Sequence, residues 1–124
     1  MSLFSSLFKS GGTAVRRVAP DEAAQLVADG KAVLIDVREP DEWAAGVAAP
    51  AELLALSDLT GLRQTWKPFL EKNRDTELIL YCRSGGRSGR AAQLLAAEGY
   101  RTANAGGFSD WARAGLPVRR PEPL

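Results

Sequence analysis

The sequence predicts an α/β fold built on a mainly parallel sheet, and three observations predict it. Two short runs, residues 32–37 and 77–81, are nearly all apolar, as expected of strands buried on both faces of a parallel sheet. Helical patterns alternate with such runs along the chain, and glycines, prolines and acidic first turns punctuate the passages between them. The 124 residues, 45% hydrophobic and 25% charged, suit one compact domain with a core and leave no room for a second.

The elements follow in order. Residues 1–14 read as a flexible tail, in which Leu3, Phe4, Leu7 and Phe8 recur at helical spacing before Ser10, Gly11 and Gly12 break the pattern. Residues 15–120 form the domain, and residues 121–124 a short C-terminal tail. Val15 to Val18 reads as an edge strand. Pro20, Asp21 and Glu22 open a helix with acidic residues in its first turn, and Gly30 marks its end. The buried strand at 32–37 carries a lone Asp36, which needs a partner. A short helix at 41–45 ends at Gly46, and residues 57–73 read as a longer helical region interrupted near Pro68. The second buried strand, 77–81, runs into Cys82, and a helix continues to Gly99. A short strand at 100–104, then Gly106-Gly107, and a last helix at 108–114 close the pattern.

Composition excludes several classes of function. With 16 Lys+Arg against 15 Asp+Glu the net charge is +1, so no strong field draws in nucleic acid or an anionic membrane. No run approaches the ~20 apolar residues of a membrane span, and no secretory signal is evident, so a cytoplasmic protein is expected. The single cysteine rules out an internal disulfide and any CxxC centre. Histidine is absent, which removes imidazole as a base and as a metal ligand. No metal or other cofactor is called for.

Cys82 therefore acts alone or is inert. It stands at the carboxyl end of a strand with a helix directly after it, the place where open α/β sheets carry their sites. In the loop Cys82-Arg83-Ser84-Gly85-Gly86-Arg87-Ser88, the two glycines let the backbone curl and aim successive N–H groups inward, a nest for an anion or a thiolate. Lowering a thiol pKa by about two units needs about 2.7 kcal/mol. A helix N-terminus supplies roughly 0.3 to 1 kcal/mol, at most about 2. Loop amides and the cations Arg83 and Arg87 must supply the rest. A free cysteine at a strand end is often only a small buried hydrophobe. That reading leaves the glycine pair, the two arginines and the helix start without a reason.

The loop, followed by Ala91-Ala92, Leu94-Leu95 and Gly99-Tyr100, resembles the active-site region of single-domain rhodaneses, as do Leu34 to Glu39 with Glu42-Trp43, and Asn104, Gly106-Gly107, Trp111, Ala114-Gly115 and Pro117-Val118. The resemblance implies a three-layer fold with helices on both faces of the sheet. It also implies a sulfurtransferase in which Cys82 takes a sulfane sulfur from a small anionic, thiosulfate-like donor as a persulfide and passes it to cyanide or a thiol. A protein sulfur donor or acceptor is the alternative partner. Arg83 would attract the donor, Ser84, Gly85, Gly86 and Ser88 would line the loop, and Arg87 would bond within the loop or to the donor. Asp36 and Arg38 would lie near the loop, as donor site or as an ion pair closing the strand. Glu42 would pair with a loop arginine. Trp43 and Trp111 are read as packing anchors. One departure stands out: residues 46–51 read Gly-Val-Ala-Ala-Pro-Ala where the family often has Gly-His-Ile-Pro-Gly-Ala.

Competing readings differ by class. Cysteine phosphatases and arsenate reductases also place a cysteine loop before a helix, but with one residue more between cysteine and arginine, a wider cradle than this one. No aspartate general acid is identifiable here. A sulfur carrier or docking module would need the same loop. A thiol peroxidase or redox sensor would need an external thiol to resolve its sulfenic acid.

Overall fold

The computed structural model describes residues 15–122, so the tail assigned to residues 1–14 and the last two residues lie outside the described residues. Five strands form one sheet: β1 (Arg16–Arg17), β2 (Ala32–Asp36), β4 (Glu52–Leu53), β5 (Glu77–Cys82) and β6 (Thr102–Gly107). Their order is β1-β6-β5-β2-β4, and every neighbouring pair is parallel. The remaining strands, β3 (Val47–Ala48) and β7 (Val118–Arg119), pair antiparallel in a separate ribbon. The helices are α1 (Pro20–Ala28), α2 (Pro40–Trp43), α3 (Leu56–Leu59), α4 (Trp66–Lys72), α5 (Gly86–Ala97) and α6 (Phe108–Arg113).

Alternation along the central strands divides the core between two faces of the sheet. Leu34, Ile79, Tyr81 and Ala103 point to one face and pack with Ala23 of α1 and Trp111 of α6. Ile35, Leu78, Leu80 and Cys82 point to the other, against Leu59, Trp66 and Leu70 and against Ala91 and Leu95 of α5. Leu78, Ile79 and Leu80 are fully buried. Each such side chain contributes roughly 1.5–3 kcal/mol, which fixes the strand that delivers Cys82. This is the three-layer α/β arrangement the sequence implied.

Two expectations need correction. The helical region at 57–73 is two helices, and its break lies between Thr60 and Thr65 rather than at Pro68. Pro68 sits in the first turn of α4, where a missing N–H has no helical acceptor to lose. Asp58 organises the break, its carboxylate accepting from the amides of Gln64, Thr65 and Trp66. The strand expected at 100–104 runs from Thr102 to Gly107, so it takes in the two glycines expected to follow it. The short strands β3, β4 and β7 escaped notice because two residues cannot display a period. Among the described residues no helix is long and apolar enough to cross a membrane.

Candidate active site

Cys82 ends β5, and only three residues separate it from α5, which begins at Gly86. Arg87 and Ser88, read from sequence as loop residues, are thus the first turn of the helix. The chain makes this tight turn through Gly85, whose φ of +101° lies in the left-handed region that glycine tolerates without cost. The turn aims the Gly85 N–H at Cys82 Sγ, 3.0 Å away, and the Ser88 hydroxyl lies 3.4 Å from the same sulfur. Burial pushes the thiol pKa up. The Ser88 hydroxyl and the amides of Ser88, Ser84 and Gly85 together outweigh burial and hold it below the ordinary cysteine value.

The end of β6 is pressed against this loop. A Cβ on Gly107 would overlap the Arg83 carbonyl oxygen, and one on Gly85 would touch Gly106 Cα at 3.4 Å. Glycine at these positions lets two backbones meet without side chains between them. Asn104 reaches across the gap, its Nδ2 donating to the Gly85 carbonyl at 3.0 Å and its Oδ1 accepting from Ser88 Oγ at 2.8 Å. Sequence reasoning gave Asn104 no role. The available signal was an asparagine inside a strand that is buried along its whole length.

Asp36 and Arg38 close the end of β2 as a buried pair, with Arg38 Nη2 2.7 Å from Asp36 Oδ2 and Arg38 Nε 3.0 Å from Oδ1. Arg38 Nη2 also donates to the Gly46 carbonyl at 2.7 Å, and the guanidinium carbon lies 4.7 Å from the centre of the Phe108 ring. The hydroxyl of Tyr81 accepts from the Ala48 amide at 2.9 Å. Burial first, then the charge of Asp36 and a hydrogen bond to it, drive the Tyr81 pKa far above its usual value. The segment that departs from the rhodanese pattern therefore has a place of its own: Gly46 and Ala48 anchor to Arg38 and Tyr81, and Val47–Ala48 pair with β7. Arg38 keeps one face in the cavity beside the loop, yet most of its donors serve Asp36 and Gly46.

Glu42 and Arg87 form a two-point ion pair, 2.8 Å at each oxygen. The hydrogen bond from Arg87 holds the Glu42 carboxyl down at about 2 against the opposing effect of burial. The Arg87 fork is thereby occupied, and Arg83 is the loop arginine left exposed. Ser84 and Gly86 are exposed beside it, and Gly85 is half-buried. Arg83, Ser84, Arg38, Glu42, Phe108 and Ser109 line a cavity of about 620 Å³. Phe108 and Ser109 were missed in the sequence because nothing there shows that α6 starts at the mouth of the Cys82 loop. Cys82 itself is only 1% exposed, so a reacting partner must be slender at its tip.

Of the two tryptophans read as packing anchors, Trp111 is buried and its indole donates to the Pro117 carbonyl at 2.7 Å. Trp43 is half-buried, and its indole nitrogen, shielded from solvent, has no acceptor among the described residues. Trp43 lines a different groove, with Pro40, Leu53 and Pro121. Among the described residues no three His, Cys, Asp or Glu side chains are grouped as metal ligands would be.

Comparison with known proteins places this geometry in context. The Rhodanese-like domain model matches residues 19–114. A protein of Allochromatium vinosum named sulfurtransferase is 37% identical over 111 residues, which cover 87% of this chain and 98% of the relative. The crystal structure of a rhodanese-related protein from Thermoplasma volcanium superposes with a TM-score of 0.71 at 27% identity, covering 86% of this chain and 99% of that one. A structure described as rhodanese with anions, from E. coli, gives a TM-score of 0.58 at 28% identity over 72% of this chain and 98% of that one.

Proposed function

The chain belongs to the Rhodanese-like domain family, and from that premise we propose that it is a sulfurtransferase working through a persulfide on Cys82. The observation that carries the reading is the sulfur-centred cradle: the Gly85 N–H at 3.0 Å and the Ser88 hydroxyl at 3.4 Å both face Cys82 Sγ. Hydrogen bonds aimed at one sulfur stabilise it as an anion.

The reaction has two steps. Cys82 thiolate attacks the outer sulfur of a thiosulfate-like donor, a new S–S bond forms, the donor's S–S bond breaks, and sulfite leaves with the bonding pair. Cyanide or a thiolate then attacks the terminal sulfur of the persulfide, and Cys82 leaves as thiolate, ready for another cycle. The same amides that hold the thiolate stabilise the persulfide anion and the departing thiolate. Arg83 at the cavity rim attracts the anionic donor, and the near-complete burial of Cys82 favours a single protruding sulfur over a bulky phosphoryl group. Ion pairing of Arg87 with Glu42 further disfavours the phosphatase reading, which needs that arginine for the substrate.

Thiocyanate production from thiosulfate and cyanide tests the proposal, with wild type turning over and Cys82→Ser silent. Equal turnover in the two proteins overturns the Cys82 mechanism. Charging only by a protein persulfide, with no small donor accepted, replaces the enzyme reading with that of a sulfur carrier.

A further inference from the structure

Asn104 is buried, 6% exposed, at the point where β6 meets the Cys82 loop. Two neighbours of opposite kind fix the direction of its amide. The Gly106 N–H can only donate and faces Oδ1 at 3.0 Å, whereas the Gly85 carbonyl can only accept and faces Nδ2 at 3.0 Å. Oδ1 carries no proton, so Ser88 must donate its hydroxyl proton there, across 2.8 Å. Ser88 Oγ also lies 3.4 Å from Cys82 Sγ, and a hydroxyl has one proton to give. With a neutral thiol, S–H donates to Ser88 and Ser88 donates to Asn104. With a thiolate, the sulfur and Asn104 Oδ1 compete for that one proton, so the donor that Asn104 secures for the sulfur is the Gly85 N–H, 3.0 Å away.

We propose that Asn104 is a positioning residue for Cys82, holding Gly85 through its carbonyl so that the Gly85 N–H stays aimed at the sulfur anion. The proposal rests on the reading of Cys82 as the nucleophile and adds to it a residue that touches neither donor nor acceptor. Gly89, one residue beyond Ser88 in α5, leaves room for the arrangement: a Cβ there would lie 3.1 Å from Asn104 Nδ2. An alanine at that position therefore crowds the amide without altering Asn104, Ser88 or Gly85.

The test is the pH profile of Cys82 alkylation by iodoacetamide, which reads the thiolate fraction at the chain's single cysteine and needs no sulfur donor. Wild type, Asn104→Ala, Gly89→Ala and the double variant are compared, each with its circular dichroism spectrum. Asn104→Ala is expected to raise the midpoint by about one unit, which slows alkylation about ten-fold at any pH below both midpoints. Gly89→Ala is expected to raise the midpoint in the wild-type background and to leave it unmoved when Asn104 is already alanine. A merely structural asparagine would lower the melting temperature without moving the midpoint. A midpoint that stays or falls in Asn104→Ala overturns the proposal, as does a Gly89→Ala shift that is the same with and without Asn104. Should Asn104→Ala fail to fold, Gly89→Ala decides alone, and an unshifted midpoint there overturns the proposal. Failure of wild type to form a persulfide sinks the sulfurtransferase reading and leaves this alkylation result standing, so the two failures are distinguishable.

Discussion

The carboxylate of Glu42 and the guanidinium of Arg87 meet at two points, 2.8 Å each, and tie the helix after β2 to the first turn of the helix after Cys82. The contact spans the mouth of the candidate site, and both partners are only partly exposed, at 25% and 32% of their side chains. A fork-to-fork geometry of this kind fixes direction as well as distance. It holds the start of α5, and with it the amides that face Cys82.

Removing the acid partner should therefore loosen the loop. Glu42→Gln is expected to cost about 1 kcal/mol, the upper range of partly exposed ion pairs, in a urea melt at pH 7. The Glu42 carboxyl is depressed from 4.5 to about 2 in the folded state. Its stabilisation is accordingly present above 4.5 and is lost as the pH falls toward 2. Stability measured down that range should fall less in Glu42→Gln than in wild type. Parallel curves would show that the pair contributes nothing to folding.

Arg83 is the exposed cation of the loop and lines the cavity. Arg83→Ala is expected to raise KM for thiosulfate about ten-fold, equivalent to about 1.4 kcal/mol, with a smaller change in kcat. Steady-state kinetics at constant ionic strength checks this, and an unchanged KM removes Arg83 from donor binding.

The buried pair of Asp36 and Arg38 behaves differently. Arg38→Met leaves Asp36, which is fully buried, without its cation. The expected loss is about 3–5 kcal/mol of stability, measured by chemical denaturation. A stable Arg38→Met protein with a raised donor KM would instead assign Arg38 to the donor.

Gly107 sets the approach of β6 to the loop. Gly107→Ala would drive a methyl group into the Arg83 carbonyl and is expected to cost about 1–3 kcal/mol while displacing the loop. A thermal melt and the rate of Cys82 alkylation check both parts.

The order of the major elements and the place of Cys82 and its loop between a strand and a helix were legible in the sequence because each leaves a local trace: apolar runs for β2 and β5, a glycine pair after Cys82, an acidic first turn in α1. The position of the break before α4 was not, because Asp58 caps it from a distance in sequence that no local pattern records. The partner of Arg87 was only half legible. Glu42 was named as a candidate for a loop arginine, but that both oxygens would be engaged, leaving Arg83 as the exposed cation, depends on how α2 packs against α5. Asn104 and Gly107 act across strands. Their roles follow from β6 lying beside β5, a neighbour relation that sequence order does not state.

The most direct measurement is the intact mass of the protein after incubation with thiosulfate, taken before and after addition of cyanide, in wild type and Cys82→Ser. The account predicts wild type heavier by one sulfur atom, its return to the original mass with cyanide as thiocyanate appears, and no change in Cys82→Ser. A wild-type mass that thiosulfate leaves unchanged, or the same adduct on Cys82→Ser, would contradict it.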